Sequence, residues 1–244
     1  MKRFNPLVLL FFICCSVTEP PFQHRYVIEL LLKPDLKFQK AFVDSTYRLD
    51  ISLEEISKGV RGAEIFVVDK NLDTFRYVES DTLDGLYQSI DSSFVKYEEK
   101  YEINIKVGKE VIFKEIQVPG KIKILSPNSL DTISLSNPQP LIWNKCKYCF
   151  KNFYIIIPYL RGKLKGENNE GILPIVTTDT TINIFSNRIL FKEKDTLYTI
   201  LVEGMDSNSY MGYLGPGYGE LKNDKVIGLV GAVVFDTIAV WIKN

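Results

Sequence analysis

The sequence predicts an all-β fold built as two sandwiches in tandem. Three observations carry that expectation. Stretch after stretch alternates apolar with polar residues at a period of two, with β-branched and aromatic side chains enriched, the signature of half-buried antiparallel strands. No sustained helical period interrupts them. Prolines and a glycine cluster in "VPGKIKILSPNSLDTISLSNPQP" (118–140), as linkers and sheet edges require. Each side of that cluster holds about 100 residues, the size of one sandwich.

In chain order, the expected strands are "YVIELLLK" (26–33), "TYRLDIS" (46–52), "AEIFVVD" (63–69), "YEINIKV" (101–107) and "VIFKEIQV" (111–118). After the proline cluster come "NFYIIIPYL" (152–160), "TTINIF" (180–185), "TLYTILVEG" (196–204) and "AVVFDTIAVWI" (232–242). "VGKE" (107–110) joins two of them. Gly108 followed by Lys109 suits a two-residue hairpin loop, because glycine accepts the positive φ that such a turn demands. "SLEEISKGV" (52–60) reads equally as one or two helical turns or as a loop.

Composition excludes several functions. Apolar residues make up 45% and charged residues 25%, which is ordinary for a globular chain. Lysine plus arginine equals aspartate plus glutamate at 30 each, so no net field draws the protein to nucleic acid. His24 is the single histidine. Paired-histidine metal sites are therefore absent from the sequence, and a histidine triad would have to use His24, which reads as a solvated side chain.

The chain starts with Lys2 and Arg3, followed by Leu7 to Ile13 without a polar residue. This is the layout of a secretory signal peptide, and the apolar run is too short to span a bilayer. Cys14 and Cys15 then stand where a small-x-small cleavage site would be. The arrangement resembles the lipobox of bacterial lipoproteins, in which an apolar segment meets a cysteine that carries lipid at the mature N-terminus. That resemblance implies a small residue before the cut. Cys15 is the preferred lipidation site, because cutting there leaves Cys14 at that position; Cys14 is the alternative, with bulky Ile13 before it. Phe12 stands where leucine is usual in the motif. The resulting expectation is a lipoprotein signal peptide over 1–15, a tether over 16–22, and sandwiches over 23–119 and 120–244. A lipid would attach the protein to a membrane without a transmembrane helix.

Cys146 and Cys149 remain, as a lone CxxC in "NKCKYCFKN". A zinc site would need two more ligands, and a redox motif would need a helix starting at the cysteines. A strand-like run follows instead. The preferred reading is a local loop disulfide in an exported chain, with free thiols as the alternative.

The second half resembles a fibronectin type III or related immunoglobulin-like domain. "PLIWN" (140–144) looks like its second strand, with Trp143 as the core indole, and "NFYIII" like its third, with Tyr154 facing one side. "RILFKEKDTLYTILVEGMD" (188–206) looks like the corner into its sixth strand, where Tyr198, Ile200 and Val202 match the pattern and Leu197 competes with Tyr198 for the inward position. The first half resembles an immunoglobulin-like or carboxypeptidase-regulatory-like sandwich. "VRGAEIFVVDKN" (60–71), "DGLYQSI" (84–90) and "KYEINIKVGKEVIFKEIQVP" (100–119) carry that likeness through Gly62, Ala63, Gly85, Tyr87, Tyr101, Ile103 and Ile105, the last standing where valine is usual.

With the leader and the tail "VIGLVGAVVFDTIAVWIK" (226–243), the whole is similar to a family of bacterial cell-envelope lipoproteins that carry a domain of unknown function. The resemblance implies a role in the envelope, beside outer-membrane transport receptors, with an envelope protein or glycan as partner and no catalytic residues to carry over.

"YMGYLGPGYGE" (210–220) is the most unusual surface candidate. A phosphate-binding reading fails, since no Lys-Ser/Thr follows and no strand-to-helix context exists. Two readings stand. Tyr210, Tyr213 and Tyr218 form a binding loop, since tyrosines on a glycine-rich loop give contact area at low entropy cost, or they pack the loop onto the domain. Asp69, Asp73, Glu79, Asp81 and Asp84 cluster, as do Asp206 and Asn208, but without a calcium-loop pattern they read as a solvated face. The expectation is a non-catalytic binding or assembly protein with no metal and no cofactor; a structural spacer and an envelope hydrolase are the alternatives.

Overall fold

Alternation in the sequence becomes alternation of burial. In Lys100–Val107, Tyr101, Ile103, Ile105 and Val107 are buried while their neighbours face outward. The computed structural model describes residues 22–47, 59–160, 174–187, 189–191, 195–214, 220–223 and 225–243. The chain is all-β, built as sandwiches.

The N-terminal half contributes β1 (Tyr26–Leu32), β2 (Lys40–Ser45), β3 (Glu64–Asp69), β4 (Thr74–Glu79), β5 (Leu86–Ser89), β6 (Lys100–Val107) and β7 (Glu110–Gln117). Pairing runs β1-β2-β5-β4-β3-β6-β7, with β4 bonded to both β5 and β3 where one layer folds over to the other. Gly108 takes φ 58° in the two-residue connection that pairs Val107 with Glu110. Two buried tyrosines pin the loops. The Tyr87 hydroxyl donates to the Val60 carbonyl (2.8 Å) and accepts from the Ala63 N–H (2.9 Å). The Tyr101 hydroxyl donates to the Phe94 carbonyl (3.0 Å) and accepts from the Lys96 N–H (2.9 Å).

The C-terminal half contributes β8 (Ile124–Ser126), β9 (Thr132–Ser134), β10 (Leu141–Trp143), β11 (Tyr154–Leu160), β12 (Ile175–Thr177), β13 (Thr181–Ile182), β14 (Thr196–Met205), α1 (Ser207–Leu214), β15 (Glu220–Asn223) and β16 (Val226–Lys243). A sheet ordered β13-β10-β8 faces one ordered β12-β11-β14-β16. This three-against-four layout is that of a fibronectin type III-like sandwich. Trp143 of β10 meets Tyr154 of β11 edge to face, ring centroids 5.4 Å apart. Tyr198, not Leu197, turns inward, against Phe191 at 5.1 Å.

β16 joins the halves. Residues Val226–Ala232 pair in parallel with β1, and Val233–Ile242 pair antiparallel with β14. The strand therefore belongs to both sandwiches, and residues 226–232 complete a sheet begun two hundred positions earlier.

The structure corrects two local expectations and adds a strand. Of the strand expected at 46–52, Thr46 and Tyr47 are not extended, and β2 stands just before them. Ala41, Val43 and Ser45 are its buried face between β1 and β5, while 48–52 lie outside the described residues. In "TTINIF" only Thr181–Ile182 is extended; a 3-10 turn follows at Ile184–Ser186, because Ile184 and Phe185 are both buried and a strand cannot send neighbours to one side. The expected 210–220 loop begins as the helix α1.

Candidate functional site

α1 owes its position to Asp206, the residue between β14 and the helix. One carboxylate oxygen, Oδ1, accepts the Ser209 N–H (2.8 Å) and the Ala232 N–H (3.1 Å). The first is an N-cap, satisfying a helix donor that has no partner within the helix; the second ties the cap to β16. Ser209 Oγ adds a bond to the Ala232 carbonyl (3.2 Å). The carboxylate reaches this deep because Gly231 has no side chain: a Cβ there would overlap Ser209 Oγ and stand 2.7 Å from Asp206 Oδ1. Asp206 is 3% exposed, and its second oxygen is buried with no partner among the described residues. Burial holds its pKa above the usual carboxylate value, opposed by the bonds from Ser209 and Ala232.

The fixed helix divides the two candidate tyrosines that the structure describes. Tyr210 turns inward, its ring 4.8 Å from Phe150 and 4.7 Å from Phe153. It is a packing residue that joins α1 to the loop after Cys149. Tyr213 is 50% exposed and Met211 45%; two positions apart on a helix, they point to different sides of it. Tyr218 lies outside the described residues, as do Cys14 and Cys15.

Below Tyr213 lie charged groups that the sequence did not single out. The Tyr213 phenol is pushed up to about 12, by partial burial and then by the negative charges of Glu203 and Glu29. Glu203, on β14, is itself raised by burial, with Lys33 pulling the other way. Glu29 and Lys33 also line a shallow groove of about 230 Å³ with Leu31, Lys40, Phe42 and Leu86, on the outer face of β1, β2 and β5. The site is thus an exposed aromatic on a capped helix, set beside a groove of mixed charge. Such a surface offers ring contact and polar bonds. Glu29, Lys33 and Glu203 look in sequence like the outward residues of ordinary strands, and only the docking of α1 sets them apart. Asp206, read in sequence as part of a solvated face, is instead buried as the cap of α1.

Cys146 and Cys149 form a disulfide. It lies over β14 at Gly204, where an added Cβ would stand 2.5 Å from Cys149 Sγ. The Cys146 N–H donates to the Tyr154 hydroxyl (2.8 Å), tying the loop to the core. The acidic residues of the first half are engaged locally. Asp69 Oδ1 accepts the Asn71 and Asp73 N–H groups (2.8 and 3.0 Å) and so shapes the β3–β4 turn. Arg61 pairs with Asp84, and more loosely with Glu79 (3.7 Å). His24 is exposed, edge-on to Tyr26 at 5.6 Å.

No family model matches the chain, and no curated protein matches it. Among solved structures, the chain is similar to the FN1–FN3 domains of chicken CNTN1, at 12% identity and a TM-score of 0.22, over 92% of this chain and 66% of that one. It is also similar to titin A168169, at 11% identity and a TM-score of 0.23, over 91% of this chain and 100% of that one.

Proposed function

We propose that the protein is a non-catalytic, lipid-anchored binding or assembly module of the bacterial cell envelope, accessory to an outer-membrane transport system. The observation that carries the binding reading is the exposure of Met211 and Tyr213 on a helix fixed from beneath by Asp206. An exposed tyrosine held on a capped helix is anchor chemistry for an interaction surface. The envelope location rests on the leader, with Cys15 as the lipid-bearing residue. The partner is an envelope protein or a glycan.

The test compares the wild-type chain with Met211→Ser/Tyr213→Ser in crosslinking from envelope membranes. A partner captured by the wild type and at least tenfold less by the variant supports the reading; equal capture removes α1 from it. Cys15→Ser should abolish incorporation of a labelled fatty acid, and labelling that persists would move the anchor to Cys14. One observation favours a second reading, a rigid spacer: β16 runs unbroken through both halves instead of giving way to a linker.

A further inference from the structure

Charges that balance over the whole chain do not balance over its surface. Lys121, Lys123, Lys145, Lys147 and Lys151 are all exposed; the backbone brings the first four together, and Lys151 follows in the loop that the disulfide begins. The Asn144 N–H donates to the Lys123 carbonyl (3.1 Å), and Asn144 Nδ2 donates to the Lys121 carbonyl (2.9 Å). The Gly120 N–H donates to the Lys147 carbonyl (2.7 Å). The start of β8 and the disulfide loop therefore form one face. Among the described residues, Lys147 alone of the five is in an ion pair, with Glu98 at 2.5 Å. Two other carboxylates close by are engaged: Asp236 Oδ2 accepts the Ile124 N–H (2.8 Å), and Asp35 accepts the Tyr97 hydroxyl (2.5 Å).

The face is preformed. The disulfide closes the loop, and Tyr148, Lys151 and Asn152 are held at φ values of 62°, 51° and 52°, a region that residues other than glycine rarely occupy. Three ammonium groups sit over aromatic rings: Lys121 over Tyr97 (5.7 Å), Lys147 over Tyr148 (4.8 Å) and Lys151 over Phe150 (5.1 Å). A loop ordered before binding spares its ligand the entropy of ordering it.

The residue types define the ligand. Lysine is depleted at the cores of protein interfaces, and an ammonium acts as a point charge without the bidentate geometry that arginine offers. Several such charges on one preformed face suit a flexible chain with repeated anionic groups. Position argues against a bilayer. The chain enters the fold at Tyr26, opposite Val226. The disulfide lies at Gly204, opposite Val234. Eight residues of β16 separate those levels, roughly 26 Å at the rise of a strand, against a Debye length of about 8 Å at physiological salt.

We propose that this lysine face binds an anionic polysaccharide. The proposal rests on the envelope reading for where such a polymer is met and for the anchored end from which the distance to a bilayer is counted, and it uses no exposed residue of α1. The test measures binding of the full chain, purified in non-ionic detergent, to polygalacturonate, with neutral dextran as control. Lys121→Ser/Lys123→Ser/Lys145→Ser/Lys151→Ser should weaken binding tenfold or more. Lys106→Ser/Lys109→Ser/Lys225→Ser/Lys243→Ser removes equal charge from other faces and should leave it within twofold. Matching thermal unfolding of both variants establishes that they fold. Equal loss in both variants, loss in neither, or equal binding to dextran overturns the proposal. So does competition by micelles doped with phosphatidylglycerol as effective as that by free polymer at matched charge, which would assign the face to a membrane. Capture through Met211 and Tyr213 is a separate measurement, so either result can fail alone.

Discussion

Asp206 spends one carboxylate oxygen on two backbone N–H groups and leaves the other buried without a partner among the described residues. Burial raises its folded pKa above the ordinary 3.8. The folded state then holds the proton more tightly than the unfolded state, so this group's contribution is complete below about pH 3.8 and is lost as pH rises through the raised folded value. Glu203, also raised by burial, acts with the same sign. Asp206→Asn keeps the acceptor and cannot ionise. Its melting temperature relative to wild type should therefore climb as pH rises from about 4 to 7, read by circular dichroism at several pH values; a constant difference would refute the account. Asp206→Ala loses the cap and should cost about 1–2 kcal/mol. Tyr87→Phe leaves the half-buried Ala63 N–H and Val60 carbonyl without the hydroxyl between them, and about 0.5–1.5 kcal/mol should be missing in urea unfolding.

At the scale of elements, the disulfide loop and β14 meet where β14 has no side chain. Gly204→Ala would press a methyl group against Cys149 Sγ and Ile122 Cδ1 at 2.5 and 2.9 Å. Overpacking of that kind should cost about 1–3 kcal/mol. In a Cys146→Ala/Cys149→Ala background the sulfur is gone and the cost should drop by half or more, so a urea-unfolding cycle should show positive coupling; additive costs would place the strain elsewhere. How far such elements were legible follows from what sets them. β6, β7, β11 and β14 show in the sequence because one face of each is less buried than the other, so burial writes the period directly into residue type. Short β2 and β5 do not: Lys40–Ser45 carries buried Ala41 and Ser45, which no hydropathy pattern marks as core. α1 was hidden by Gly212, poor for a helix in isolation but needed where the helix meets Leu229 of β16. Tyr213 was visible as a surface candidate, whereas Glu29, Lys33 and Glu203 come together from distant strands, a relation no local pattern records.

At the scale of the molecule, β16 makes the two halves one mechanical object. Its first seven residues extend the sheet of β1, and the next ten zip onto β14. Unfolding the N-terminal sandwich would strip β1 from Val226–Ala232 and leave buried Val226, Val230 and Ala232 facing water. The same continuous backbone would then enter the C-terminal sheet unsupported. Cooperative loss of both halves is the expected result. Both tryptophans, Trp143 and Trp241, belong to the C-terminal half, so their fluorescence reports that half alone, while hydrogen exchange at Ile103 and Ile105 of β6 reports the other. Ile28→Ala, at a fully buried position of β1, should cost about 2–5 kcal/mol and lower the urea midpoint of the tryptophan signal as much as that of the β6 amides. A tryptophan midpoint that stays put while the β6 amides open earlier would mean that β16 bridges the halves without coupling them. The rigid-spacer reading would then lose the observation that favours it.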